Sequence, residues 1–389
     1  MAGPYKVIVV TTSRADYGIY TSVLERFEAE PKIDLSLIVG GTHLSPDFGM
    51  TVNVIENDGF QIAAKVDCVP IDDQDISIAE TMGQAVTGFA KALNVLRPDM
   101  LIVLGDRYEM HSAALAALPL RIPVAHIHGG EETEGAMDNS LRHSITKLSH
   151  LHLCSTALAA SRVMAMGEDA QCVSVSGAPA LDSILACEPL SRAEWAKSLG
   201  VPDRDFLLLT YHPVTLTPEK TLDDFDAVWR AVKAFDGMCV ITLSNADTCG
   251  RQLNDRLTQL AHDNDDVFLV NSMGALRYYS AMHHAKMMVG NSSSGIIEAA
   301  SFGLPVINIG DRQKGREISP NVLQVPTDTS AIQSAMKEAQ TPLFQKVCAK
   351  RVNVYGDGHA AAHIVAAVLE FLQSERGVRK HFSLVVEAP

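Results

Sequence analysis

The sequence predicts an α/β protein made of two doubly wound parallel-sheet domains, and three observations carry that prediction. Short β-branched runs alternate with amphipathic segments along the chain. This is the rhythm of βαβ units, whose strands are covered on both faces and therefore read as continuous apolar runs. The runs form two series separated by the polar segment EPLSRAEWAKSLGVPDRD at 188–205. The length of 389 residues exceeds one ordinary core and fits two domains of roughly 180 residues each.

The first series reads KVIVVT (6–11), LSLIV (35–39), MLIVL (100–104), IPVAHI (122–127) and HLC (152–154). Each run gives way to glycine or polar residues and then to a helical pattern such as SVLERFEAE or MHSAALAALPL. The second series reads FLLLTYHP, MCVITLSN, VFLV, MMVGNSS and PVINIG. The division is expected near residue 185, giving domains 1–185 and 186–389. A last helical pattern at about 359–375, HAAAHIVAAVLEFLQSE, follows the second series and is free to pack back on the N-terminal domain.

Composition narrows the partners. Hydrophobic residues make up 47% of the chain, enough for sizeable buried sheets, and the net charge of -14 argues against nucleic acid as a bulk partner. A bound phosphate must therefore be met by local groups. The only early apolar run, Val7 to Val10, is too short for a signal peptide or an anchor, and no stretch reaches the ~18 apolar residues of a spanning helix. Seven cysteines with no CxxC pair read as reduced core filler in a cytoplasmic protein.

In open α/β sheets a ligand sits beyond the carboxyl ends of the strands, so the residues after each run are the ones to read. They are TTSRADYG, GGTHLSPDFG, GDRYE, HGGEETEG, YHPVT, NSSSG and GDRQKGR. Two domains facing each other with such edges would form a cleft. Arg14 lies at a strand end beside a helix start, where a guanidinium and backbone amides share a phosphate oxygen; pairing with Asp16 is the plainer reading. GNSSSGIIEAASFG (290–303) is a glycine and hydroxyl loop entering a helix, with Ser292 and Ser293 at its start. Glu298 falls about one turn inside, suited to accept from two ribose hydroxyls. Arg312 and Arg316 offer a pyrophosphate clamp or, more simply, a solvated basic turn.

Asp106, followed by Arg107, stands at the mouth of an apolar strand, where burial and charge tune a carboxylate for proton transfer; a structural Asp–Arg pair is the alternative. His212, held before a proline, has a constrained direction. The stretch HIHGGEETEGAMDNSLRH (126–143) gathers His126, His128, Glu131, Glu134 and Asp138 behind an apolar run. No GxGxxG, P-loop, HExxH or GxSxG motif occurs, so no nicotinamide cofactor is expected; the histidines at 126, 128 and 143 lack the spacing of a metal site.

Taken in order, SRADYG, THLSPDFG, GDRYE, HIHGGE, DNSLRHSITKLSHLH, YHPVT, GNSSSGIIEA and GDRQKGR resemble the hydrolysing UDP-N-acetylglucosamine 2-epimerases of sialic-acid-type sugar synthesis. The resemblance covers nearly the whole chain and implies a GT-B-like pair of Rossmann-like domains with a cleft between them. It assigns Arg14, Arg107, Ser292, Ser293, Glu298 and Arg312 to the UDP group and Asp106, Asp138 and His212 to the sugar. It further implies no cofactor, a homodimer or dimer of dimers, and conversion of UDP-GlcNAc and water to ManNAc and UDP. The implied route is elimination across C1 and C2 to a 2-acetamidoglucal, followed by hydration at C1 and reprotonation on the opposite face of C2. Inversion of this kind needs titratable groups on two walls.

The chain departs from the family pattern in three places. Many members read HIEGGE, with a glutamate implicated in catalysis, where this chain has His128. One residue is inserted before Asp138, and Asn139 replaces a common second acid. The proton work falls to His128, whose ordinary pKa permits it, or to Glu131 or Glu134. The wording THLSPDFG, GDRYE and HIHGGE…TEGA is similar to the branch acting on a UDP- or GDP-linked 2,4-diacetamido-2,4,6-trideoxy sugar (diacetylbacillosamine) for legionaminic acid. UDP-GlcNAc is the first expectation and this sugar the second. A GT-B glycosyltransferase would share the fold but needs an acceptor groove with an apolar or basic patch, of which the N-terminal half has none. A non-catalytic nucleotide-sugar sensor is the remaining class, prompted by His128.

Overall fold

A computed structural model of the chain describes residues 3–72, 74–132, 137–213, 218–243, 250–270, 273–374 and 376–383. It divides into two units. The first takes the chain to Glu131, from Met137 to Ser183, and again from Tyr355 onward; the second contains Ile184–Val354.

The first unit holds a seven-stranded sheet of β1 (Tyr5–Thr11), β2 (Ile33–Gly40), β3 (Ile62–Val66), β4 (Met100–Leu104), β5 (Val124–Ile127), β6 (Leu151–Cys154) and β7 (Val173–Val175). Its order is β3-β2-β1-β4-β5-β6-β7, and all neighbours run parallel. The second unit holds β8 (Phe206–Thr210), β9 (Met238–Thr242), β10 (Val267–Val270), β11 (Met288–Gly290), β12 (Val306–Ile309) and β13 (Val322–Val325), ordered β10-β9-β8-β11-β12-β13 and again parallel. Each order reverses once, between β1 and β4 and between β8 and β11. Such a reversal sends the flanking helices to opposite faces and opens a crevice at the carboxyl edge.

The central strands are the β-branched runs, fully buried because helices cover both faces of a parallel sheet. The sequence reading passes over β3, β7 and β13, and all three lie at sheet edges with part-exposed residues. An edge strand buries less and so carries a weaker apolar signature. The polar segment at 188–205 also contains a helix, Arg192–Leu199, with a Ser191/Glu194 capping box and Trp195 stacked 4.4 Å from Phe206.

The second unit ends at Val354, short of the 389 that the sequence division assigned to it, because the last helix returns to the first unit. Ile364, Val365, Val368 and Phe371 of the helix Ala360–Gln373 are buried in one cluster with Val7, Val9, Tyr20, Val23 and Phe27. Its first turn is held by Asp182, whose Oδ2 accepts from Ala360 N at 2.9 Å and Oδ1 from Ala361 N at 2.8 Å. Among the described residues no helix is long and apolar enough to cross a membrane.

Two substitutions test this closure. Ile364→Ala should cost about 3 kcal/mol through lost burial and a residual cavity, and Asp182→Ala about 1–2 kcal/mol through the lost cap. Hydrogen exchange should accelerate over 360–373 in both variants. Unchanged exchange there would mean that the helix contributes nothing to the unit.

Candidate active site

The carboxyl edge of the first sheet is built from the ends of β1, β4 and β5, which are neighbours in the sheet. After β1 the chain turns into the helix Arg14–Glu28 through a capping box between Ser13 and Asp16. Asp16 accepts from Thr12 N at 2.8 Å and from Ser13 N and Oγ at 2.7 Å each. The aspartate is consumed in shaping the turn, so the simpler pairing of Arg14 with Asp16 does not occur. Arg14 is exposed at the first helical position with no partner among the described residues. Beside it Gly41 is held at φ 55°, where a Cβ would lie 2.6 Å from Thr12 O. His43, in the motif THLSPDFG, bridges Thr11 Oγ1 at 2.9 Å and Thr51 Oγ1 at 2.7 Å, fastening this loop to β1.

Asp106 and Arg107 follow β4 but do not pair with each other. Arg107 forks onto the buried Glu109, with Nη2–Oε1 at 2.8 Å and Nε–Oε2 at 3.2 Å, while its own side chain is half-exposed. Asp106 pairs instead with Arg142, from the helix Met137–Leu148. Arg142 is buried and also reaches Glu131 Oε2 at 3.3 Å and the carbonyl of His128 at 3.3 Å. Neither Arg142 nor Glu109 was singled out as a site residue in the sequence. An arginine inside the apolar pattern of a helix that follows such a cluster was the available signal.

His128 leaves β5 in the left-handed region at φ 65°, its N–H bonded to Leu153 O at 3.0 Å. For a residue with a Cβ this conformation is strained and persists only where the surroundings enforce it. Here the side chain is fixed as well, with Nδ1 2.5 Å from Glu131 Oε1. That oxygen also accepts from Ser155 Oγ at 2.6 Å. The carboxylate requires Nδ1 to carry the hydrogen, so in the neutral ring Nε2 holds the lone pair.

His126 has a different part. It is wholly buried, donates from Nε2 to Gly105 O at 2.7 Å, and is pushed down to about 3 chiefly by burial. It is a neutral strut under the β4 turn. Asp138 lies half-buried in the first turn of the helix Met137–Leu148. Glu134 falls outside the described residues.

In the second unit the ends of β8, β11 and β12 are likewise adjacent. His212 is buried after β8 and clamped through its backbone by Asn291, with N to Oδ1 at 2.7 Å and Nδ2 to O at 2.8 Å. Burial, aided by the positive charge of Arg312, depresses its pKa to about 4. Gly290 makes this junction possible, since at φ 136° a Cβ would stand 1.9 Å from Thr210 O. Arg312 Nη1 and Gln313 Nε2 both donate to Asn291 O, at 3.1 and 2.9 Å.

The helix entered by the serine loop is shorter than its sequence suggests. Ser292 is its N-cap, Ser293 its first residue, and it ends at Ile297. Glu298 therefore sits at the junction with a second short helix, Ala299–Phe302, and not inside a continuous one. Its carboxyl is pushed up to about 7 by burial, against a hydrogen bond with Ser294. Tyr278, which the sequence did not mark, joins the group through hydrogen bonds with Ser294, Thr210 and Ser292. Among the described residues no group of three or more histidine, cysteine, aspartate or glutamate side chains is arranged to hold a metal.

The family profile described as UDP-N-acetylglucosamine 2-epimerase matches residues 25–369. A Legionella pneumophila protein named UDP-N,N'-diacetylbacillosamine 2-epimerase (hydrolyzing) is 38% identical over 354 residues, covering 91% of this chain and 92% of its own. A Campylobacter jejuni protein named GDP/UDP-N,N'-diacetylbacillosamine 2-epimerase (hydrolyzing) is 35% identical over 344 residues, covering 88% and 89%. Among solved structures, UDP-GlcNAc 2-epimerase from Neisseria meningitidis bound to UDP-GlcNAc superposes with a TM-score of 0.79 at 19% identity, over 94% of this chain and all (100%) of that one. At that identity the superposition speaks for the fold.

The raised carboxyl of Glu298 has a measurable consequence. From the ordinary 4.5 to about 7 the unfolded group ionises while the folded one keeps its proton, so stability falls as pH rises through that window. Chemical unfolding of the parent and of Glu298→Gln across this range should show the variant gaining steadily on the parent and the gap levelling above it. Parallel curves would mean that Glu298 titrates alike in the folded and unfolded chain.

Proposed function

This chain belongs to the UDP-N-acetylglucosamine 2-epimerase family, and from that premise we propose that it is a hydrolysing nucleotide-sugar 2-epimerase of nonulosonic acid synthesis. The observation that carries this reading is the cluster at the first sheet's edge, where one buried arginine bridges Asp106 and Glu131 and the strained His128 is locked onto Glu131. Such an arrangement sets a directed imidazole and a separate carboxylate side by side with their roles already divided.

The first step breaks the bond from C1 to the phosphate oxygen. The C2–H electron pair becomes the C1–C2 double bond, UDP leaves with the negative charge, and the enzyme base keeps the proton. Water then supplies hydroxide to C1, and C2 receives a proton on its other face, so one water is consumed per sugar released. We assign proton transfer to Nε2 of His128, with Glu131 as the group that orients it; a carboxylate already accepting from His128, Ser155 and Arg142 is poorly placed to act as the base itself. Asp106 and Asp138 are the carboxylates for the second face and for the sugar hydroxyls. His212, neutral near pH 7 because its pKa is depressed to about 4, serves as a hydrogen-bonding group.

Arg14, Arg107, Ser292, Ser293 and Arg312 receive the diphosphate, and Glu298 the ribose. The substrate we assign is the UDP-linked 2,4-diacetamido-2,4,6-trideoxy sugar, ahead of UDP-GlcNAc, because both relatives described above are named for it. We place the enzyme in the cytoplasm as a homodimer or dimer of dimers.

A proton NMR time course in deuterated water with each sugar nucleotide tests the reading. UDP and a manno-configured free sugar deuterated at C2 should appear, faster from the diacetamido substrate; faster consumption of UDP-GlcNAc would reverse the substrate assignment, and consumption of neither would end the epimerase reading. Asp106→Asn, Asp138→Asn and His128→Gln should lower turnover about 100-fold or more while sparing UDP affinity. Glu298→Ala should instead weaken UDP about tenfold. The opposite partition would remove these residues from their roles.

A further inference from the structure

At the amino ends of β6 and β7, on the sheet edge opposite Asp106 and His128, lies a cavity of about 330 Å³. His150, Glu168, Gln171 and Cys172 form its floor and Phe371 one wall. The remaining wall is the strap 376–383 that follows the last helix, and every residue involved belongs to the first unit.

The strap is fastened at both ends. Arg376 donates to Gln171 O at 2.8 Å, Gln171 Oε1 at 2.7 Å and Cys172 Sγ at 3.1 Å. Lys380 caps the helix Met137–Leu148 through Lys147 O at 2.8 Å and Ser149 O, and pairs with Glu168 at 2.8 Å. Phe382 lies against Gly167, where a Cβ would come within 2.4 Å of the ring, and Ser383 N bonds Gly167 O at 2.9 Å. These contacts fix the strap so that its cations face the cavity.

The charge balance is uneven. Glu168 is already satisfied by Lys147 at 2.5 Å, His152 at 2.9 Å and Lys380. Although burial pushes its carboxyl up, the hydrogen bonds from these groups hold it at about 2. Asp169 Oδ1 caps Gln171 N at 2.9 Å. Arg376 meets only uncharged acceptors, and Arg379 has no partner among the described residues. Among the described residues no carboxylate is bonded to either guanidinium, and Arg376, Arg379 and Lys380 outnumber the two carboxylates of the lining, Glu168 and Asp169.

We propose that this cavity binds a small organic oxyanion, a phosphate or a carboxylate carrying an apolar portion, at a site separate from the candidate active site. Arg376 and Arg379 hold the oxyanion as charge-assisted donors, and Phe371 with Cys172 covers the apolar part. The volume is at the lower end of small-ligand sites, roughly 300–1,000 Å³, and suits a molecule the size of a sugar phosphate.

Titration calorimetry of the full chain with inorganic phosphate and, separately, citrate tests this, each with and without saturating UDP. With UDP present, one oxyanion should bind per chain, and Arg379→Ala should weaken it about tenfold. Arg379 is exposed and unbonded, so its loss leaves the fold intact. Arg14→Ala, at the other edge, should not change that titration. Amide exchange over 376–383 should slow on binding. Binding of phosphate alone or of citrate alone identifies the class. No binding of either, or a titration indifferent to Arg379→Ala, overturns the proposal, whether or not UDP itself binds.

Discussion

The buried guanidinium of Arg142 is the interaction on which the carboxyl edge of the first unit's sheet depends. A charge with almost no access to water must be compensated where it lies, and removal of one partner from such a pair typically costs about 3–5 kcal/mol. Arg142 meets the requirement by drawing in Asp106 from the end of β4, Glu131 from the turn after β5 and the carbonyl of His128. One side chain thereby ties two turns, the one after β4 and the one after β5, to its own helix. The same demand for compensation that stabilises the cluster also holds its ionisable groups at hydrogen-bonding separation.

The position of the cluster follows from sheet topology. Parallel strands direct their carboxyl ends to one edge, and each sheet reverses its order once, so the polar turns after β1 and β4, and after β8 and β11, become neighbours. Close approach at these edges needs backbone without side chains. Gly41 against Thr12 and Gly290 against Thr210 meet that need in the two units. Asn291 then performs in the second unit a task like that of Arg142 in the first: its side chain holds the backbone of His212, and its carbonyl receives Arg312 and Gln313.

His128 shows how the edge stores conformational strain. A left-handed residue with a Cβ costs roughly 1–3 kcal/mol, and here a backbone hydrogen bond to Leu153 and the side-chain hydrogen bond to Glu131 hold it in place. His126, two residues earlier and still within β5, is unstrained, uncharged and inside. The left-handed turn at His128, just past the end of β5, takes its imidazole out of the strand's pattern, and so the two histidines meet different surroundings and different chemistry.

Much of this protein was legible in the sequence. The β-branched runs determined the central strands, because a strand covered on both faces must be apolar throughout, and the polar residues after them marked the carboxyl edges of both sheets, because the carboxyl ends of such strands meet water. Edge strands such as β3 and β7 bury too little to leave that signature. Pairing was also hidden: Asp106 and Arg107 are adjacent in sequence, yet Arg107 turns to Glu109 in the first turn of the helix that follows, while Asp106 takes Arg142 from a helix further along the chain. The return of the last helix to the first unit depends on its packing against the helix Arg14–Glu28, with Ile364 and Val368 in the shared core, and on Asp182 at its first turn, contacts between segments far apart in the chain. The sequence by itself determined which residues could be buried and which chemical groups stood at the strand ends; only the tertiary structure decided which of them meet, because long-range compensation of buried charge and apolar surface is set by packing.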